Sequence, residues 1–161
     1  METTGHWMVR AGDENELADL VEEKGAVAVG WPKMGDLSTL ETRQDFRERC
    51  KEAYPDQPGA ATAIKAAELY RFATRMSEGH YVVTALEGAK EVLIGLVDGP
   101  YEYRTDLFGE HYPHVRRVRW LKRVPWDSFG APAREAMGSA LIVFVMDEFG
   151  AEIERLAAAT G

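Results

Sequence analysis

The spacing of apolar and polar positions changes several times along the chain, and each change marks an element. Trp7-Met8-Val9-Arg10 reads as a first strand that stops at Ala11-Gly12. Asp13 is placed to cap a helix whose apolar positions Leu17, Leu20 and Val21 share a face, and Gly25 stands where a helix end favours a left-handed residue. The continuous run Ala26-Val27-Ala28-Val29 predicts a buried strand leading into Gly30-Trp31-Pro32-Lys33-Met34-Gly35-Asp36-Leu37-Ser38, where Gly, Pro and Asp end it. Ser38-Thr39-Leu40-Glu41 has the form of a capping box and launches a helix toward Tyr54-Pro55. After a Pro/Gly link from Pro55 to Gly59, a third helix runs through Met76, with Ile64, Ala67, Leu69 and Phe72 among its apolar residues.

The period then becomes that of strands. Tyr81 to Ala85 and Glu91 to Val97 flank the turn signal Glu87-Gly88-Ala89-Lys90 and predict an antiparallel hairpin. Val115 to Val124 alternates imperfectly, but its Val and Trp residues suit a half-exposed strand. Leu141 to Val145 fits either a strand or a buried helix, and Glu152 to Ala159 is helical. Strands at both ends with helices inserted after the first two predict an α+β domain, a curled mixed sheet or small barrel with helices packed outside.

Composition narrows the class. The 161 residues, 45% hydrophobic and 29% charged, suit one domain able to bury a core without metal or disulfide help. A single cysteine, Cys50, excludes an intrachain disulfide framework and points to a reducing, cytoplasmic setting. The first residues, Met1 to His6, lack the pattern of a secretory leader, and no apolar run is long enough to cross a bilayer. The formal charge of −8 argues against indiscriminate nucleic-acid binding, but its placement is uneven. Acids gather at 13–23 and 147–154, whereas His114 to Arg123 holds five Arg or Lys and no acid. Such a chain could hold a phosphate backbone on one face and repel it elsewhere; a solvated strand face is the plainer alternative.

A large ring at the end of a strand, a second aromatic cluster at Tyr101 and Tyr103, and a basic strand together have the chemistry of a site for an unpaired base. Extruding a base costs a few kcal/mol of stacking, and an aromatic returns about 1–3 kcal/mol per base, so at least one rigid ring is needed. Trp31 is the leading ring; plugging the core beside the turn is its alternative role. Leu37 could wall an added methyl, Asp36 could accept from an exocyclic amine, and Arg10 could donate to a carbonyl or phosphate. Asp36 also suits a simple turn or cap acceptor for Ser38-Thr39. Tyr101 and Tyr103 share a face if extended. Arg116, Arg117, Arg119, Lys122 and Arg123 are the candidate phosphate contacts, although alternation lets only some face one way. Trp7, Tyr70, Phe72, Trp120 and Trp126 read as core or rim.

Four segments carry a family resemblance. Met8 to Gly12, the loop Gly30-Trp31 to Asp36-Leu37-Ser38, Leu93 to Tyr101, and His114 to Trp120 followed by Val124-Pro125 resemble the EVE and YTH branch of the PUA-like superfamily, in the form attached to Mrr-like and McrB-like restriction proteins. The similarity spans about Trp7 to Phe129, leaving 130–161 as a C-terminal extension of the same single domain. It implies a small barrel that takes a flipped, modified base into an aromatic-lined cleft, with Trp31 as the first cage ring. The second cage aromatic falls in the loop before the basic strand, where this chain offers Tyr101, Tyr103, Phe108 and Tyr112 and no tryptophan.

Catalytic patterns are sparse. His111 and His114 form the only close histidine pair and lack a Cys or acidic partner at zinc-like spacing, so no metal is expected. Glu22-Glu23-Lys24 reads as surface charge at a helix end, and Cys50 as a structural thiol. The expectation is a non-catalytic, cofactor-free module that reads a modified base in double-stranded DNA, with the nuclease of a restriction system supplied elsewhere. A single-stranded RNA-binding module is the alternative, and a small-ligand or nucleotide-handling enzyme is a third reading.

Overall fold

Alternation of side chains sorts the strands of the computed structural model, which describes residues 4–159, into two buried faces. The ends of the expected 1–161 domain, with the leader reading at Met1 to Thr3, lie outside the described residues. Strands β1 (His6–Val9), β2 (Ala26–Val29), β3 (Tyr81–Leu86), β4 (Glu91–Tyr103), β5 (His114–Pro125) and β6 (Val143–Val145) form one sheet in the order β2-β5-β4-β3-β1-β6. Only the β1–β3 pairing is parallel, so the sheet is mixed. It curls until β1 and β2 approach each other with three strands between them, yet its edges β2 and β6 are not hydrogen-bonded together. Of the two expected forms, the open curled sheet is the one found.

On β1, Trp7 and Val9 face one core while Met8 faces the other. The first core joins Val82, Leu93, Val97 and Val115 to helices α1 (Ala18–Lys24), α2 (Arg43–Ala53) and α3 (Gly59–Tyr70). The second joins Val83, Val92, Ile94 and Val124 to α4 (Ala131–Met137) and α5 (Gly150–Ala158). Helices therefore cover both faces, in three layers, and each large apolar side chain so buried contributes about 1.5–3 kcal/mol. The 141–145 run, which periodicity alone does not assign, supplies β6 and pairs with β1. Residues beyond 129 thus complete the sheet and cover one face of it. His6 ties the two ends together, with Nδ1 3.1 Å from an Asp147 oxygen and Nε2 2.7 Å from Glu154.

Two helix starts differ from the sequence expectation, for reasons visible in their hydrogen bonds. The capping box lies at Thr42, not Ser38: Thr42 Oγ1 accepts from the Asp45 N–H, and the Asp45 carboxylate accepts from the Thr42 and Glu41 N–H groups. Those backbone donors hold the Asp45 carboxyl below its ordinary range. Asp13 does not cap α1, because 13–15 form a separate tight turn closed by the Glu16 N–H on the Asp13 carbonyl and α1 starts only after Leu17; the Asp13 N–H donates to the Tyr112 hydroxyl. Asn15 instead clamps that turn to the β3–β4 hairpin, donating to Ala85 O at 2.8 Å and accepting from Glu87 N–H at 2.9 Å.

The long β4–β5 ribbon carries two register shifts. At the first, Ile94 pairs with Lys122 but Gly95 with Trp120, which leaves Leu121 as the extra residue on β5. A Cβ at Gly95 would lie 2.5 Å from Val118 Cγ1, 2.7 Å from Trp120 Cε3 and 2.8 Å from the Arg119 carbonyl. Gly95→Ala should therefore force the bulge open and cost about 1–3 kcal/mol. Urea unfolding measures it, and an unchanged midpoint would show that the ribbon yields without strain.

Candidate nucleic-acid interface

Where β2 ends, Gly30 passes under the Tyr112 ring and Trp31 takes the left-handed conformation, φ 61° and ψ 57°, before the Pro32–Met34 turn. That conformation costs a non-glycine residue about 1–2 kcal/mol, so something must hold it. The Trp31 carbonyl accepts from His114 Nε2–H at 3.1 Å and from the Met34 N–H at 3.1 Å. With Nε2 donating, Nδ1 of His114 is left as an acceptor and takes the Tyr101 hydroxyl proton at 2.7 Å, while that oxygen accepts from the Leu37 N–H at 3.2 Å. The two ends of the Trp31 loop are thus fastened through one phenol and one imidazole. Burial drives His114 down to about 4 from its ordinary 6.5 and pushes the Tyr101 phenol up, so both are neutral at neutral pH.

The half-buried Trp31 side chain lines a cleft of about 960 Å³, at the upper end of the range for ligand pockets. Tyr54, Ile64, Lys65, Phe108 and Tyr112 share its wall with Trp31. Lys65 Nζ lies 6.0 Å from the Trp31 ring centroid and 5.8 Å from that of Tyr54, a cation–π contact with each. Tyr112 is braced by donating to Glu16 and accepting from the Asp13 N–H, and burial together with the Glu16 bond pushes its phenol up to about 12. Glu68, 3% exposed, anchors the opposite wall by accepting from the Ile142 and Val143 N–H groups. Burial pushes its carboxyl up, against the pull of those two donors.

Of the residues assigned to a base pocket from sequence, Trp31 alone lines this cleft. Arg10 stands behind its wall, donating from Nε to the Leu141 carbonyl at 2.8 Å. Asp36 is exposed and accepts from the Ser38 N–H at 2.9 Å, the turn role. Leu37 is 1% exposed and packs in the core. Tyr101 and Tyr103 flank His114 at ring distances of 5.8 and 5.7 Å, on the loop-holding side. Of the four aromatics considered for the second ring, Phe108 and Tyr112 face the cleft.

The five cations of β5 have different surroundings. Arg116 is 3% exposed, and its guanidinium donates to the carbonyls of Gly99, Phe72 and Met76 at 2.7–3.2 Å. Burial lowers it to about 10, so it remains charged, holds the wide π turn Arg71–Arg75 that follows α3, where the expected continuous helix to Met76 changes form, and has no surface left for a phosphate. Arg117 pairs with Glu102 at 3.3 Å. Arg123 is shared by Glu91 at 2.7 Å and Glu22 at 3.0 Å. Among the described residues, Arg119 and Lys122 have no ion-pair partner.

Residues 7–137 match the model of a family described as a domain of unknown function, DUF8426. The chain belongs to the DUF8426 family. Solved structures similar to it include the YTH domain of Mmi1, at 12% identity and a TM-score of 0.48, covering 95% of each chain. A complex of the YTH domain-containing protein mmi1 with RNA is 13% identical with a TM-score of 0.49, covering 96% of this chain and 81% of that one. The YTH domain of Zygosaccharomyces rouxii MRB1 in complex with N6-methyladenosine RNA is 13% identical with a TM-score of 0.48, covering 100% of this chain and 89% of that one. A comparison with curated proteins finds no match.

Among the cleft residues of this DUF8426 domain that escaped the sequence reading are Tyr54, Ile64, Lys65 and Glu68. Ile64 carried the only signal. Counted there with the apolar face of α3, it is 50% exposed at the cleft, an apolar residue outside the buried stripe. His114 generates a pH dependence whose sign follows from its depressed value. The unfolded chain takes up the proton near 6.5 and the folded chain only near 4, so stability is fully present above 6.5 and falls as pH drops between the two, by up to about 3 kcal/mol. Urea unfolding across that window should show a shallower slope for His114→Asn than for the parent; equal slopes would remove His114 as the cause.

Proposed function

We propose that this DUF8426 domain is a non-catalytic reader of a modified base in single-stranded RNA, the base lying against Trp31 in the cleft. The observation that carries this reading is the half-buried indole, packed against the core on a backbone held by the His114–Tyr101 relay, on the wall of a cavity with further aromatic faces. A ring held rigid before binding loses little entropy on stacking, which is worth about 1–3 kcal/mol per base.

The choice of strand rests on charge. Pulling a base out of a duplex costs a few kcal/mol, and phosphate contacts must supply much of what offsets it. With Arg116 enclosed and Arg117 and Arg123 paired to carboxylates, Arg119 and Lys122 are the β5 cations left for that task in a chain of formal charge −8. A single strand offers its base already unstacked, and RNA is read in that way, on aromatic faces in loops and ends. Guidance of a nuclease carried by another chain goes with the duplex-DNA reading and depends on the DNA arm of the test.

That test is fluorescence anisotropy with matched single-stranded RNA, single-stranded DNA and duplex DNA, each with and without one modified base. The modified RNA strand should bind tightest, and Trp31→Ala should lose about ten-fold or more of that affinity while keeping the parent's unfolding midpoint. Full affinity in Trp31→Ala would refute the stacking role. Tightest binding to the duplex would return the assignment to DNA.

A further inference from the structure

The rings of the cleft already hold a positive charge. Lys65 Nζ sits about 6 Å from both the Trp31 and Tyr54 ring centroids, so the faces offered to a ligand are faces on which a cation is stable. The ionisable side chains around it are mostly of the opposite sign: the carboxylates of Asp13, Glu16 and Glu68, against Lys65 and His111. Glu16 and Glu68 are engaged by Tyr112 and by the 142–143 backbone, while the Asp13 carboxylate is exposed at the rim and has no partner among the described residues. A neutral base gains from stacking alone in such a place. A cationic one gains from the indole quadrupole and from the surrounding carboxylates as well.

Resting on the base-reading assignment above, we propose that the base taken into the cleft carries a positive charge on its ring, as N1-methyladenine and N3-methylcytosine do. On entry it displaces the Lys65 ammonium from the Trp31 and Tyr54 rings. Apart from the proton that gives it its charge, each such base has a neutral isomer, N6-methyladenine and 5-methylcytosine, so charge can be tested with the heavy atoms held constant.

The experiment measures binding of the whole chain to short single-stranded RNAs bearing one base of each isomer pair, below neutral pH so that the N1-methyl isomer keeps its charge and does not rearrange. The cationic isomer should bind about ten-fold more tightly in each pair, with the preference shrinking as salt rises. Asp13→Asn, which alters an exposed side chain without partners, should reduce that ratio. Lys65→Gln should tighten the cationic isomers more than the neutral ones. Trp31-dependent binding in which the neutral isomer is equal or better overturns this inference and leaves the reader assignment standing. Failure of every modified strand to bind better than its plain counterpart overturns both.

Discussion

The imidazole of His114 is the point on which the site depends. It is fully buried, it bonds one end of the Trp31 loop through the Trp31 carbonyl, and through Tyr101 it bonds the other end at Leu37. The Tyr101 bond needs Nδ1 unprotonated, whereas the Nε2–H bond to the Trp31 carbonyl survives protonation and favours it, so the burial that keeps His114 neutral preserves the link to Tyr101 and Leu37. Because β5 supplies His114 and β4 supplies Tyr101, the ring on the cleft wall is referenced to the centre of the sheet.

The same ribbon shows how a run of like charge can be spent inside a fold. Arg116 donates to three carbonyls, those of Phe72 and Met76 at the Arg71–Arg75 turn and that of Gly99 where β4 bulges, a bonding pattern that suits a planar guanidinium better than any ammonium. Arg117 and Arg123 meet carboxylates from β4 and the end of α1. Exposed pairs of this kind add little stability, but they lower the field the strand presents to a polyanion. The long-range attraction implied by the linear charge pattern is therefore largely absent from the folded surface.

What could be read along the chain was whatever repeats locally. The β3–β4 hairpin follows from Glu87 to Lys90 and its flanking alternation, and Trp31 stood out because a large ring rarely follows a buried strand directly into Gly- and Pro-rich turns. Helix starts slipped where local backbone and side-chain bonds took the capping donors, the Gly12 and Asp13 carbonyls accepting from Asn15 and Glu16 N–H, and Thr42 with Asp45 closing the box that Ser38 was expected to close. The rest of the cleft was hidden because Tyr54, Lys65 and Glu68 belong to helices whose own periodicity is satisfied without it; only the tertiary packing of α2 and α3 against the β2 loop turns them toward Trp31. Tyr101 looked like a ligand-facing ring for the same reason in reverse, since spacing shows a face and not what the face meets.

A cleft of this kind must also be tolerable when nothing occupies it. Two aromatic faces open to water would form an apolar patch inviting non-specific contact, and Lys65 covers both at once. The covering works against the ligand, because the competent state is the one with the lysine swung away, and apparent affinity falls by the fraction of time it is not. That loss is the same factor for every ligand that needs the rings bare. A weak apolar visitor is thereby brought below useful occupancy, whereas a ligand that gains more from the indole and the rim carboxylates stays above it. Lys65 thus sets the threshold an occupant must exceed and covers the rings when none does, while discrimination between occupants rests on the rings and carboxylates themselves.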